Sequence, residues 1–140
     1  MLELIYYSIA QPWLNSEDIL NILKTSREFN IENNITGCLL YFNNEFIQIL
    51  EGEKNIVKYL YGKIEQDKRH HHVMLLVQNE KESRSFTNWG MAFYDPGSRR
   101  DDDVDKQLFI KNFTALSTLT DKPTHAVKLF WHISTLLLME

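Results

Sequence analysis

Two polar side chains fall on strand faces where apolar residues are the rule. Tyr6 shares a period-2 face with Leu2 and Leu4 in the first apolar run. Gln48 lies inside a second apolar run, residues 46–50. A phenol can give up an electron and a proton, and an amide carries both a hydrogen-bond donor and an acceptor. The two residues are therefore either core side chains that satisfy each other or part of a ligand site.

Three further positions have both an ordinary and a functional interpretation. Asn30 follows the first helical pattern, where it is either the C-cap of that helix or a ligand contact. Ile22 and Ile64 lie on the apolar stripes of the two helical patterns. Such stripes normally pack against a sheet, but a flat ring fits between the helices if they splay apart.

The elements that position these residues alternate between strand and helix. Residues 2–8 predict a strand. The helix after it begins at the N-cap candidates Asn15 and Ser16 and ends near Phe29. The remaining elements are a hairpin (37–42 and 46–50), a second helix (56–64) and two strands (73–77 and 89–93). This βαββαββ order predicts an α+β, ferredoxin-like sandwich whose two helices cover one face of a mixed sheet, with strands one and three as central neighbours.

A change of pattern after residue 95 predicts a second structural unit. Asp95-Pro96-Gly97 is a strong turn signal, and two amphipathic helical patterns follow it, separated by residues 120–123. We therefore assign residues 1–95 to the sandwich and residues 96–140 to an extension of two C-terminal helices that packs on the bare face of the sheet. Its surplus apolar surface would serve a partner protein or a homo-oligomer.

The composition argues against several classes of function. A chain of 140 residues with a formal net charge of −4 suits one compact domain and lacks the basic field that nucleic acids and anionic membranes attract. Neither a leader pattern nor a membrane-length apolar run is found, so we expect a cytoplasmic protein. Cys38 is the single cysteine and the histidines of 70–72 read as a solvated loop, so no metal site is predicted. Without a Gly-rich phosphate loop or a nucleophile elbow, we do not expect an enzyme.

Taken together, these residues and their neighbours resemble the BLUF family, the blue-light sensors that use FAD. The matching segments are Leu4–Ser8, Asn30, Ile35–Gly37, Phe46–Gly52 and Trp89–Met91. They follow the family order, and Phe-x-Gln-x-Leu-Glu-Gly, at 46–52, is the most specific of them. The resemblance implies the ferredoxin-like sandwich, with FAD bound non-covalently and its isoalloxazine ring between the two helices.

The resemblance implies a role for each residue around the ring. Tyr6 is similar to the family's redox-active tyrosine, and Gln48 is similar to the glutamine that bridges this tyrosine and the flavin. Asn30 resembles the asparagine that anchors the ring edge. Ile22 and Ile64 match the aliphatic side chains on the two faces of the ring.

Four more residues are implied at the periphery of the cofactor. Lys63 stands where many members have an arginine near the polar tail, with Asp67 one turn later as its ion partner. Trp89 and Met91 match the pair on the last strand that packs near the glutamine and relays its change. The pattern leaves open which of these two side chains faces inward.

The resemblance finally implies a mechanism and an output. Excited flavin takes an electron and a proton from Tyr6, the Gln48 amide rotates or tautomerises, and the flavin returns oxidised with new hydrogen bonds. Because the sandwich and its extension use the whole length, the signal should pass to a separate downstream protein. Two other functions compete with this prediction. One is a small ferredoxin-like, flavin-dependent oxidoreductase, and the other is a colourless adaptor in which Tyr6 and Gln48 are core partners.

Overall fold

The computed structural model describes residues 1–42, 44–86 and 92–94, together with positions 128, 130 and 132. Its elements are β1 (Leu2–Ala10), α1 (Ser16–Glu32), β2 (Thr36–Phe42), β3 (Glu45–Gly52), α2 (Lys54–Gln66), β4 (His70–Glu80) and β5 (Ala92–Tyr94). The predicted βαββαββ order is confirmed. The predicted C-terminal helices fall outside the described residues apart from the helical positions 128, 130 and 132, and the proposed division at residue 95 stays a prediction.

The five strands form one mixed sheet in the order β4-β1-β3-β2-β5. β3 is the central strand, and β1 beside it pairs antiparallel with both β3 and β4, which confirms that strands one and three are neighbours. β2 pairs antiparallel with β3 and parallel with β5. The two helices pack on one face of this sheet, over a core that includes Leu4, Leu23, Leu39, Leu50 and Val57.

Helix α1 begins where the sequence indicates and ends one turn later than predicted. Asn15 is the N-cap: its side chain accepts a hydrogen bond from the Asp18 amide at 2.9 Å, and the Asp18 carboxylate accepts one from the Asn15 amide at 3.0 Å. Such a capping box stabilises a helix by about 1 kcal/mol. The helix ends at Glu32, and the backbone and side-chain nitrogens of its C-cap, Asn33, both donate to the carbonyl of Phe29. Asn30 is therefore not a C-cap but an interior helix residue.

Helix α2 also begins at a carboxylate cap. Both oxygens of Glu53 accept hydrogen bonds from backbone amides of the first turn, at 3.1 Å each. The helix then continues to Gln66, and β4 starts only four residues later, at His70. In the described part of the chain, no helix is both long and apolar enough to cross a membrane.

Candidate functional site

A cavity of about 70 Å³ lies between the two helices and the sheet. Protein interiors hold few voids larger than one water molecule, so a space of this volume is larger than an ordinary packing defect. Six of the residues that the sequence singled out line it: Tyr6, Ile22, Asn30, Gln48, Ile64 and Asp67. The other lining residues are Ser26, Leu39, Phe46, Leu60, Arg69 and His70. The lining of the cavity thus combines apolar side chains with several polar ones.

Tyr6 and Gln48 face each other directly across the β1–β3 pair. The Tyr6 hydroxyl donates a hydrogen bond to Oε1 of Gln48, and both side chains are buried. Burial raises the pKa of Tyr6 well above its usual range, and the nearby Asp67 and Tyr61 raise it further. The phenol consequently stays protonated in the neutral range and is a hydrogen-bond donor to Gln48.

Asn30 presents an unsatisfied amide to the cavity. It is 1% exposed, and neither its Nδ2 nor its Oδ1 has a hydrogen-bond partner among the residues that the structure describes. Burial of such a polar group without a partner costs about 1–3 kcal/mol, which a matching ligand recovers. An amide suits a ligand edge with an acceptor beside a donor, such as the carbonyl and ring N–H of a flavin. The residues present therefore fit a flavin.

The end of the cavity near the α2–β4 junction is charged. Arg69 holds Asp67 with four hydrogen bonds: its backbone amide and Nε donate to Oδ1 at 3.0 and 2.9 Å, and Nε and Nη2 donate to Oδ2 at 3.1 and 2.6 Å. Burial opposes ionisation of Asp67, but the hydrogen bonds and charge of Arg69 outweigh it, so the pKa of this carboxyl lies below its usual value. Asp67 is therefore an anion at neutral pH, and Arg69 orients it.

His70 closes the same end of the cavity. Its Nε2 lies 2.5 Å from the carbonyl oxygen of Ile64, which can only accept, so Nε2 carries a proton. Its Nδ1 lies 2.8 Å from the hydroxyl of the buried Ser8. The ring also packs edge-on against Tyr6, with 6.4 Å between the centroids. Contacts on both nitrogens and one face fix the orientation of the imidazole.

Sequence reasoning missed Arg69 and His70 as site residues and instead placed Lys63 near the cofactor. The Lys63 ammonium lies over the rings of Tyr59 and Phe29, 5.0 and 5.9 Å from their centroids, and Lys63 is not among the residues that line the cavity. Its role toward the cofactor stays a prediction. The sequence feature that could have indicated Arg69 and His70 is the run of ionisable residues at 67–70, which directly follows an amphipathic helix. Trp89 and Met91 lie outside the described residues.

His70 reaches the cavity because β4 contains a bulge. Tyr7 pairs with Met74 but Ile9 pairs with His71, so β4 carries one more residue than β1 here. His72, with φ 53°, is in the left-handed region at this point. Without the extra residue Ala10 would face His71, and His70 would turn to the opposite side of the sheet. The predicted solvated loop at residues 70–72 is thus wrong, because this segment begins a strand.

We expect His72→Val to lower the free energy of unfolding by about 1–3 kcal/mol relative to His72→Gly, because a β-branched residue is strained at positive φ. Urea unfolding of both variants measures the difference. Gln78→Val is the matched control: Gln78 is an exposed β4 residue, and there valine suits the extended backbone. Equal stability of the His72 variants would show that the bulge does not depend on this conformation.

Comparison with known proteins identifies the family to which the sequence of this chain is similar. The model of the BLUF family, described as sensors of blue-light using FAD, matches residues 1–92. The blue light- and temperature-regulated antirepressor BluF of Escherichia coli (strain K12) is 32% identical over 108 residues, which are 77% of this chain and 27% of that protein. The photoactivated adenylate cyclase subunit beta of Euglena longa is 35% identical over 124 residues, 82% of this chain and 14% of that protein.

A solved structure resembles the chain over nearly its whole length. The dark-state structure of BlrB, a BLUF protein, superposes with a TM-score of 0.69 at 25% identity, covering 96% of this chain and 95% of that one. By contrast, the chain spans 27% and 14% of the lengths of the two curated relatives. The family likeness therefore covers the sandwich and its cavity, whereas most of each relative has no counterpart here.

Proposed function

The chain belongs to the BLUF family, the sensors of blue light using FAD, and from this premise we propose that it is a blue-light photoreceptor that binds FAD non-covalently between α1 and α2. One observation carries the proposal. The buried, unpartnered amide of Asn30 lines the same cavity as the hydrogen-bonded pair of Tyr6 and Gln48. A ligand with both donors and acceptors on a flat edge satisfies all three side chains.

The helices supply the walls of the proposed flavin site. Ile22 of α1 and Ile64 of α2 line the cavity from the two sides and are suited to the faces of a flat ring. Asn30 would hold the polar edge of the ring, and Gln48 would contact it from the sheet. Arg69 and the Asp67 carboxylate that it orients would hold polar groups of the cofactor at the other end of the cavity.

The flavin, when bound, supplies blue-light absorption and an excited state that oxidises a nearby phenol. Tyr6 is the phenol in this cavity, and its proton already points at Oε1 of Gln48. Loss of an electron to the bound flavin would make the Tyr6 hydroxyl strongly acidic, so its proton would leave along the hydrogen bond to Gln48, and both electron and proton would return to Tyr6 when the charges recombine. The Gln48 amide has a donor end and an acceptor end, and a turn of the amide exchanges them. Such a turn would change the hydrogen bonds that the amide makes in the cavity, beginning with the one from Tyr6.

The proposed output is a protein contact. Neither Tyr6 nor Gln48 is consumed in this sequence of steps, so the chain needs no substrate. We propose that its signal passes to a downstream signalling protein, and that the chain itself forms a homo-oligomer. Among the relatives, one is named as an antirepressor and another as a cyclase subunit. A binding output like that of an antirepressor fits this proposal.

The absorption spectrum tests the proposed function. Purified protein should be yellow, denaturation should release FAD identifiable by chromatography, and blue light should shift the flavin band slightly to the red with recovery in darkness. The shift is expected because a reoriented Gln48 amide donates a new hydrogen bond to a flavin carbonyl. Protein that takes up no flavin from excess FAD would contradict the proposal. Steady substrate turnover in darkness would favour a flavin-dependent oxidoreductase instead.

A further inference from the structure

A buried cluster of charges lies on the sheet face opposite the cavity. Glu3 of β1 and Glu51 of β3 are directly paired across the strands, and both are fully buried. The Lys81 ammonium lies between them: it bonds to Oε2 of Glu51 and lies 2.7 Å from Oε2 of Glu3. Buried carboxylates persist only where other groups neutralise them. We call Glu3, Glu51 and Lys81 the outer charge cluster.

The Glu51 carboxylate holds the segment that leaves β4. It accepts hydrogen bonds from the backbone amides of Ser85 at 2.9 Å and Phe86 at 2.7 Å. It also accepts one from the Thr36 hydroxyl at 2.8 Å, and that hydroxyl accepts one from Arg84 at 2.8 Å. Charge-assisted hydrogen bonds in a buried site are short and strong. Segment 81–86 is thus fastened to β3 through the Glu51 carboxylate, and Arg84 adds a hydrogen bond to the backbone carbonyl of Glu51 at 3.3 Å.

The same segment contacts the C-terminal part of the chain. Phe86 is 3% exposed, and its ring packs edge-on against that of Phe130, also 3% exposed, with 6.3 Å between the centroids. Glu51 and Gln48 are three residues apart on β3 and therefore point to opposite faces of the sheet. A continuous chain of contacts thus runs from the strand that carries Gln48, through Glu51 and Phe86, to Phe130.

We propose that Glu51 is a positioning residue for signal output, which couples a movement of β3 to segment 81–86 and to the region of Phe130. This inference rests on the proposed light-sensing function, because the reorientation of Gln48 supplies the movement. Glu51 does not contact the cavity and takes no part in the chemistry there. It makes the backbone of a distant segment follow the strand, since two amides of that segment bond to its carboxylate.

Hydrogen exchange in darkness and under blue light tests the coupling in Glu51→Gln. The variant keeps the shape of the side chain and loses its charge and one acceptor. The flavin and its red shift should be unchanged, while the amides of Ser85 and Phe86 should exchange about tenfold faster in darkness, as expected for one lost hydrogen bond. The light-induced exchange differences in 81–86 and around residue 130 should disappear.

Glu82→Gln is the matched control, because Glu82 is an exposed carboxylate of the same segment. It should keep both the red shift and the exchange differences. Phe86→Leu is a second variant that leaves the outer charge cluster intact; it should keep the differences in 81–86 and lose those around residue 130. A Glu51→Gln protein with the exchange differences of Glu82→Gln overturns the inference, as does a Phe86→Leu protein with wild-type differences at 130. Wild-type protein without any red shift overturns the proposed function instead.

Discussion

Tyr6→Phe is expected to bind FAD and to show no light-induced red shift at all. The substitution removes one hydroxyl and keeps the ring that packs against Tyr61 and His70. The hydroxyl is the donor to Gln48, so the variant lacks both the transferable proton and the hydrogen bond along which it moves. We also expect the free energy of unfolding to fall by about 1–3 kcal/mol, because Oε1 of Gln48 loses its donor inside the core. Flavin absorption before and after illumination measures the main effect.

Tyr7→Phe is the control for this experiment. Tyr7 is the next residue of β1, and its hydroxyl bonds to Glu45 on the other face, so its loss should leave the shift at wild-type size. Gln48→Leu should abolish the shift as Tyr6→Phe does, because it removes the acceptor of the same proton. A full, reversible shift in Tyr6→Phe would show that another side chain is the donor. Another phenol close to the cavity is that of Tyr61, whose ring centroid lies 5.8 Å from that of Tyr6.

Asn30→Ala is expected to have opposite effects on cofactor binding and on the protein without cofactor. Loss of two hydrogen bonds of about 0.5–1.5 kcal/mol each should raise the dissociation constant of FAD about 5- to 150-fold. Without FAD the variant should be no less stable than the wild type, because the change removes a buried amide that has no partner in the described structure. Flavin titration gives the first quantity, and urea unfolding with and without FAD gives the second.

Asn21→Ala provides the same substitution at an exposed position of the same helix. It should leave FAD binding unchanged, and any gain in helix propensity from alanine will appear in both variants. If Asn30→Ala binds FAD with wild-type affinity, the Asn30 side chain does not hold the cofactor. If it lowers the stability of the protein without FAD by several kcal/mol, Asn30 is a structural residue with a partner inside the protein.

The sequence was sufficient for the sandwich because periodicity and topology agree there. The alternation of Leu2, Leu4 and Tyr6 and the stripes of both helices predict which faces are buried, and a right-handed crossover then makes β1 and β3 neighbours. The meeting of Tyr6 and Gln48 follows from that register. Local pattern was enough because each of these residues lies in a regular strand or helix.

Three features depend on tertiary contacts that local patterns do not contain. The bulge at His72 arises from the pairing of β4 with β1, and it helps to turn His70 toward the cavity. Asn30 resembles a C-cap in the sequence. Only the C-cap contacts of Asn33 show that α1 continues to Glu32. Glu3 can be buried because Lys81, far along the chain, forms an ion pair with it and with Glu51, its neighbour across the strands. Charge in a strand normally indicates solvent, so sequence alone gave no sign of this burial.

The placement of Gln48 and Glu51 on opposite sides of one strand has an evolutionary consequence. Substitutions on the outer face of the sheet can accumulate without contacting the cavity, since the backbone of β3 separates the two surfaces. Colour and photochemistry can then be preserved while the outer face adapts to a new partner. A strand with two separate faces would let the same light-sensing domain serve different partners. Replacing segment 81–86 together with Phe130 should therefore change which partner responds and leave the absorbed wavelength unchanged.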